Sequence, residues 1–442
     1  MTFIFDLIKY HGQIPFPTTM SAIIYWFSQI IGILFFLLYF HQIIYLIVGT
    51  FHKAKIQNKV FKLHTVGVVI SARNESKVIA NLIKSVREND YPQAMVKIFV
   101  IADNCSDNTA QICRDLGCVV FERHNLKEVG KGYALNFLFN KLHTEEQYRD
   151  IVPEFYLIMD ADNVMSKNYI TEMNKAYDNG YNVCTSYRKA SNFGKNWITS
   201  GYGYWFLHES KHLNNSRMVF NKSATILGTG ILISSKTVYK FNNFDFHFLT
   251  EDVQFNAEYI LSGEKIGYQE TAEFTDEQVE TLSQSIKQRE RWAKGFYQVC
   301  GKYGGKLLKS SFKNFSCWDF LTSMFPALLL STVFVIGCPL LSIVALILRD
   351  FAGALTGLIF FGLTALSAYM LMFVLALLTC ITEWKKIDCP NPKKILYLFT
   401  FPIFMLTYIP IAIVALFKKV EWKPIEHKGK IDIENKNNDL SK

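Results

Sequence analysis

The sequence predicts an α/β domain with a mostly parallel sheet, set between transmembrane α-helices. Three observations carry this. Half of the 442 residues are apolar, and they crowd into the first fifty residues and the last hundred or so. Between them, short apolar runs alternate with amphipathic stretches at the spacing of strand–helix–strand units, which gives a parallel sheet with helices on both faces. One of those runs, Phe155–Asn163 (FYLIMDADN), reads as a buried strand ending in two carboxylates, Asp160 and Asp162. Ligands of open α/β sheets sit at the carboxyl ends of strands. An Asp-x-Asp placed there can set hard oxygen ligands around a divalent cation that also holds a phosphate. Taken alone, the same residues read equally well as an acidic turn.

The formal net charge is +9. The lysines cluster beside the apolar segments, at His52–Lys62 and Trp384–Lys394, as cytoplasmic loops do under the positive-inside rule. Neither zinc-finger spacing nor a basic stripe interleaved with aromatics is present, so no nucleic-acid partner is expected. The nine cysteines are scattered, and even Cys105, Cys113 and Cys118 lack metal or redox spacing. Reduced thiols are expected. The first long apolar run begins near Ala22 and is too long for a cleavable signal peptide.

In chain order, residues 1–21 read as an extracytoplasmic N-terminus. Residues 22–50 form a transmembrane helix; Ala22–Val48 alone would be about 40 Å long against a hydrocarbon core of roughly 30 Å, so it tilts or emerges near His41. The soluble domain spans 51–278. Its strands are Val66–Ser71, Lys97–Ala102, Cys118–Phe121 and Tyr156–Asp160, with Tyr181–Thr185 a further candidate. Helices are expected at about Lys77–Glu88, Asp107–Leu116, Gly130–Leu142 and Lys167–Asn179. Trp197–Leu213 is rich in aromatics, as a packed helix or a sugar-stacking surface. Gly228-Thr229-Gly230 suggests close backbone approach to a ligand. A helix over about Thr281–Tyr303 belongs to an interfacial region, 279–316. Residues 317–417 hold three apolar spans, roughly Phe320–Leu348, Phe351–Ile381 and Ile395–Phe417. A simple count puts the polar tail, 418–442, outside. Lys418 and Lys419 argue for inside, and Pro402 and Pro410 can make the last span re-entrant. The residues from Asn435 onward read as a disordered end.

Four acidic or polar sets thus follow in order: ADNCSD with Asp103, MDADN with Asp160 and Asp162, TED with Glu251 and Asp252, and QRERW with Gln288, Arg291 and Trp292. Together they resemble the signatures of family-2 glycosyltransferases, and more narrowly those of the membrane-embedded cellulose, chitin, hyaluronan and poly-N-acetylglucosamine synthases. ARNE and GKGYALN fit the nucleotide-binding half of that family. The resemblance covers about Val66–Tyr297 and implies a GT-A fold, Rossmann-like with a mostly parallel sheet. Leu227-Gly228-Thr229-Gly230 departs from the Phe-Phe-Cys-Gly pattern of cellulose synthases, which argues against a cellulose product.

The resemblance implies a UDP-sugar donor, a glycan or lipid acceptor, the lipid bilayer itself and accessory polysaccharide-export subunits as partners. Uridine contacts are implied at Asp103, with Arg73 and Glu75 nearby. Lys131 opens a helix, where it can meet phosphate charge. Mg2+ or Mn2+ suits the all-oxygen site, with Asp162 the leading ligand and Asp160 touching metal or nucleotide. The family places the catalytic base at Asp252, with Glu251 orienting it or the acceptor. Gln288, Arg291 and Trp292 stand at i, i+3 and i+4 and share one helical face. Arg291 can hold the leaving diphosphate there, while Gln288 and Trp292 line the acceptor site. A polysaccharide synthase is the first expectation. A lipid-directed transferase and a catalytically inactive export partner are the alternatives.

Overall fold

The computed structural model describes residues 18–56, 62–324 and 326–422. All but the last four residues of the expected N-terminal segment 1–21, and the tail from 423 on, lie outside the described residues. In chain order the helices are α1 (Thr19–Phe51), α2 (Ile79–Arg87), α3 (Thr109–Asp115), α4 (Lys131–Thr144), α5 (Tyr169–Asp178), α6 (Trp197–His208), α7 (Asn215–Val219), α8 (Ser235–Lys240) and α9 (Glu251–Leu261). Then follow α10 (Leu282–Ser311), α11 (Phe315–Met324), α12 (Pro326–Ile347), α13 (Phe351–Thr382), α14 (Asn391–Leu406) and α15 (Tyr408–Phe417). The strands are β1 (Val66–Ala72), β2 (Val96–Asp103), β3 (Val119–Arg123), β4 (Phe155–Asp160), β5 (Val164–Met165), β6 (Val183–Ala190), β7 (Ile231–Ser234) and β8 (Gly267–Asp276).

These elements form two compact units. One comprises Met1–His41 with Pro326–Leu371. Ile24, Ile31, Phe334 and Cys338 make its small core, and Gly337 brings its backbone close to the Phe27 ring. The other unit runs Gln42–Phe325 and resumes at Met372. Its centre is one eight-stranded sheet in the order β3-β2-β1-β4-β7-β6-β8-β5. The first four are parallel; β7 runs antiparallel to β4 and β6, and β6 pairs parallel with β8. Its central strands are buried along nearly their whole length, as β1 and β4 show. That is why VGVVIS and FYLIM carry continuous apolar residues rather than an alternating pattern. Separate apolar clusters fill the two faces.

The structure corrects two boundaries and shows a break of the kind that Pro402 and Pro410 allow in the last apolar span. The candidate strand at Tyr181–Thr185 is β6, which reaches Ala190. The span expected at Phe320–Leu348 is two helices, with Pro326 opening the second as its fixed φ permits. The last apolar span is broken at Thr407 into α14 and α15. Pro410 explains the break, since it cannot supply the N–H that the Leu406 carbonyl would receive in a continuous helix. Arg289 of α10 donates into the break, to the Phe404 carbonyl (3.0 Å) and Thr407 Oγ1 (2.8 Å). Both ends of the broken span are held by the sheet-bearing unit. Lys393 donates to the Gly194 carbonyl and Lys294 to that of Ala415. Lys418 pairs with Glu290 at 2.8 Å, so residues 418–422 lie with the sheet domain.

Among the described residues, four helical segments are long and apolar enough to cross a membrane: Thr19–Phe51, Leu329–Ile347, Phe351–Thr382 and the broken span Asn391–Phe417. The first runs unbroken past His41, and its last turns pack on the sheet domain. There Tyr45 donates to Asp319 and Ser216 to the Tyr45 carbonyl.

Candidate active site

The site is assembled at the carboxyl ends of β1, β2 and β4. The turns after β1 and β2 are pinned to each other: Asn74 Oδ1 accepts from the Ser106 N–H (2.7 Å), and Thr109 Oγ1 accepts from the Glu75 N–H (3.0 Å). Asn74 sits at φ 60° and Asn104 at φ 53°, a region Asn tolerates better than most residues. Arg73, Glu75 and Asp103 are thereby gathered at one sheet edge. Asp103 is buried and accepts from Arg123 Nη1 at 2.8 Å and Asn104 Nδ2 at 3.0 Å. Parallel register sets Arg123 directly beside Asp103. Burial still raises the Asp103 carboxyl, with Arg123 pulling the other way. Arg73 lies over the Trp422 ring, 5.4 Å from its centroid.

At the end of β4, the Asp160 N–H donates to Asn163 Oδ1 (3.1 Å) and Thr229 Oγ1 (2.9 Å). Those two side chains fix the turn that presents both carboxylates. Asp162 is buried, accepting from the Glu277 N–H and Asn163 Nδ2, each at 3.2 Å. The Asp160 side chain is 41% exposed, enough for a ligand to reach it. Lys131, at the first turn of α4, donates to Asp160 Oδ1 and to the Gly228 carbonyl, the latter at 2.7 Å. Gly228 and Gly230 sit at φ 75° and 68°, where glycine is the cheapest residue. A Cβ on Gly230 would stand 2.3 Å from the Phe274 ring.

Glu251 and Asp252 open α9 beside this group. A Cβ built at Gly228 would lie 3.6 Å from Asp252 Oδ2, so that carboxylate faces the glycine turn. Burial pushes Glu251 up to about 7, and the Asp252 charge adds to this while Lys131 and Arg291 oppose it. Asp252 is raised as well, chiefly by burial, with Lys131 and Arg291 again lowering. Two adjacent carboxyls thus share the field of two cations, which favours their holding one proton between them. Close packing fixes the pair. A Cβ on Gly132 would fall 1.8 Å from the Phe246 carbonyl oxygen, and one on Gly295 would fall 2.2 Å from Thr250 Oγ1.

On α10, Arg291 donates to the Leu249 carbonyl at 3.2 Å and braces the turn that carries Thr250, Glu251 and Asp252. Trp292 stands edge-on to Tyr202, with centroids 5.8 Å apart, in a cluster that includes Leu227, Trp197 and Trp205. Gln288 Oε1 is buried without a hydrogen-bond partner among the described residues. The aromatic run Trp197–Leu213 is mostly packed interior, as its reading as a packed helix expects. The structure therefore brings Lys131, Asp160, Glu251, Asp252 and Arg291 into one electrostatic group, with Arg73, Glu75 and Asp103 at the neighbouring strand ends.

Sequence reasoning missed Arg123, Asn163, the hydrogen bond by which Thr229 braces the Asp160 turn, and the Glu277 backbone. Only strand register and side-chain packing reveal the first three, and no sequence signal marks a backbone donor. Among the described residues, no three His, Cys, Asp or Glu side chains converge at metal distance. Asp160 and Asp162 nonetheless fit a hard divalent ion. They are all-oxygen donors on one fixed turn, one of them already neutralised by a bound cation, the Lys131 ammonium. Mg2+ in particular is usually held by one or two carboxylates, with phosphates and water completing the shell.

A mostly parallel sheet with helices on both faces and acidic turns at its strand ends is a GT-A-type fold. The structure of the mannosyltransferase PcManGT from Pyrobaculum calidifontis, solved with GDP-Man and Mn2+, superposes on it with a TM-score of 0.52 at 13% identity, covering 88% of this chain and 99% of that one. The family model described as "Glycosyltransferase like family 2" matches residues 64–295, just over half of the chain. The chain belongs to that family. It is 26% identical to the probable glycosyltransferase YdaM of Bacillus subtilis over 56% of this chain and 59% of the relative. It is 23% identical to the beta-monoglucosyldiacylglycerol synthase of Trichormus variabilis over 60% of this chain and 56% of that one. Poly-beta-1,6-N-acetyl-D-glucosamine synthase of Staphylococcus epidermidis is 25% identical over 58% of this chain and 63% of its own length. The matched part thus spans about six-tenths of each of these relatives.

Proposed function

We propose that this chain is an inverting, metal-dependent glycosyltransferase that moves a sugar from a UDP-sugar to a growing β-linked polysaccharide. It works at the cytoplasmic face of the membrane, and export of the product is coupled to synthesis. The observation that carries the reading is the position of Lys131. Its ammonium joins Asp160 to the Gly228 turn and also acts on Glu251 and Asp252. A diphosphate held at Asp160 and a proton acceptor at Asp252 would thus flank one cation.

Arg73, Glu75 and Asp103 bind the nucleoside end of the donor. Asp160 and Asp162 hold Mg2+ or Mn2+, which when bound screens the charge growing on the leaving diphosphate. Lys131 moves from Asp160 to the diphosphate as the donor enters, at the N-terminus of α4. The acceptor hydroxyl oxygen attacks the anomeric carbon, and its proton passes to the Asp252 carboxylate. The bond from that carbon to the diphosphate oxygen breaks, and UDP leaves with the electron pair. A raised Asp252 is a stronger base than a solvated aspartate, which suits this proton transfer. Glu251 orients the base, and Arg291 neutralises the leaving group. Gln288 offers its unpartnered carbonyl oxygen to an acceptor hydroxyl, and Trp292 offers its ring to a sugar face.

The poly-N-acetylglucosamine synthase match supports a polymer product. The monoglucosyldiacylglycerol synthase match favours a second reading, transfer to a membrane lipid. Intact carboxylates at Asp160, Asp162 and Asp252 argue against an inactive export partner. Incubating membranes that contain the full chain with a panel of labelled UDP-sugars tests the assignment. A large water-soluble product supports the polymerase, a small solvent-extractable one the lipid transferase. No incorporation from any UDP-sugar contradicts both.

A further inference from the structure

The edge strand β3 and the outer face of α4 border a cavity that the transferase reading does not use. Its volume is about 490 Å³, within the roughly 300–1,000 Å³ of ordinary small-molecule sites. Leu135, Leu138, Phe139 and Leu142 turn the inner face of α4 to the core. Tyr133, Asn136, Phe137, Asn140, Lys141 and Thr144 line the cavity from the opposite face. They stand at i, i+3, i+4, i+7, i+8 and i+11 and run about 16 Å along the helix. Arg123, Asn125 and Glu128 close the cavity from the end of β3 and the turn after it, and His247 from the loop before α9. The lining includes neither Arg73, Glu75 and Asp103 nor Lys131, Asp160 and Asp252. Arg123 is the wall between the two places. Its Nη1 donates to Asp103 at 2.8 Å and its Nη2 to Glu128 at 3.4 Å.

We propose that this cavity binds a neutral oligosaccharide, at a site separate from that of the donor. Charge excludes the common alternative. The lining carries three carboxylates, Glu122, Glu128 and Glu145, against Arg123 and Lys141. Arg123 is held by Asp103 and Glu128, Lys141 pairs with Glu145 at 2.7 Å, and Arg114 covers Glu122 from outside the lining. A phosphate or nucleotide would meet those carboxylates and no unmatched lysine or arginine on the lining. Ring faces favour a sugar. Tyr133 and His247 are stacked, 4.0 Å between centroids and 5° from parallel, and Phe137 follows one helical turn after Tyr133. The negative face of an aromatic ring suits the C–H groups of a sugar ring. Hydroxyl groups find partners as well. The Tyr133 hydroxyl and Glu128 Oε1 have no hydrogen-bond partner among the described residues, Glu128 using Oε2 for Arg123 and Asn125. The lined face is longer than one sugar ring, so it fits a chain rather than a monosaccharide. Saccharide binding here does not depend on the transfer chemistry; only the identity of the chain as the protein's own product or acceptor rests on the proposed function.

Saturation-transfer difference NMR of the full chain in lipid nanodiscs, which avoids sugar-based detergents, tests it. The probes are cellotetraose, chitotetraose and glucose. At least one tetrasaccharide should bind, with glucose about tenfold weaker because one ring fills only part of the lined face. Saturating UDP with Mn2+ should not displace it. Tyr133→Leu keeps an apolar side chain but removes the ring face, and Glu128→Ala removes the free acceptor from an exposed turn. Each should weaken binding about tenfold, the scale of one lost aromatic or charged hydrogen-bonding contact, while the unfolding midpoint stays unchanged and certifies the fold. Failure of both tetrasaccharides to bind overturns the proposal, and so does undiminished binding in Glu128→Ala or in Tyr133→Leu. Displacement by UDP also overturns it, because the sugar would then occupy the donor site. Glucose binding as tightly as the tetrasaccharides overturns the assignment to a chain. Incorporation from labelled UDP-sugars reads the transfer chemistry separately, so the two can fail independently.

Discussion

Replacing Glu251 by Gln should stabilise the protein in a pH-dependent way. Glu251 is 7% exposed at the start of α9, beside Asp252. Burial and that neighbour lift it from 4.5 to about 7 in the folded chain. Because the folded value lies above the unfolded one, the folded state binds the proton more tightly. Stability is therefore highest below about pH 4.5 and falls as pH rises towards 7, where the carboxylate must ionise in its buried place. A shift of this size corresponds to roughly 3 kcal/mol at pH 8 and about 1 kcal/mol at pH 5. Gln keeps the shape and removes the charge, so the variant escapes this cost. At about 2–4 °C per kcal/mol for a domain of this size, Tm should rise by about 6–12 °C at pH 8 and only about 2–4 °C at pH 5. Thermal unfolding of the purified chain in detergent, followed by intrinsic fluorescence across that pH range, measures it. An unchanged or lowered Tm at pH 8, or a gain independent of pH, would refute the buried-dyad reasoning.

Three further outcomes follow from the same geometry. Arg123→Met leaves the buried Asp103 carboxylate without its ion-pair partner, with the Asn104 amide still donating to it, and should cost about 3–5 kcal/mol, read as a lower Tm. Adding Asp103→Asn should return part of that loss, since both charges are then gone. Asp162→Ala should abolish the Mn2+ dependence of UDP binding in titration calorimetry, and an unchanged metal dependence rejects Asp162 as a ligand. Gly295→Val drives a side chain into Thr250. It should reduce transfer strongly while the unfolding midpoint falls by only about 1–3 kcal/mol equivalent, the usual range for overpacking.

Much of this site is legible in the sequence because its chemistry sits at strand ends. Continuous apolar runs mark β1, β2 and β4, and the polar residues that follow each run must then share one sheet edge. What the sequence hides is lateral. Arg123 lies twenty residues from Asp103 and meets it only because β3 pairs in parallel register with β2. Asn163 and Thr229 brace the Asp160 turn from two segments whose pairing no periodicity announces. Lys131 is readable as a helix-terminal cation, but its bond to Asp160 depends on how α4 docks against the glycine turn. At the other end of the chain, Pro402 and Pro410 announce a disturbed helix. The partner that fills the break, Arg289, sits inside the QRERW stretch among residues read for a different purpose.

The central claim is that Asp252 takes the proton from the acceptor while Asp160 and Asp162 hold the donor. The most direct test pairs two measurements on Asp252→Asn in membranes: sugar transfer from the preferred UDP-sugar, and binding of UDP. The account predicts transfer reduced by at least roughly 10²–10⁴-fold, the scale of a lost general base, with UDP affinity near that of the unaltered chain. Normal turnover in that variant would contradict it.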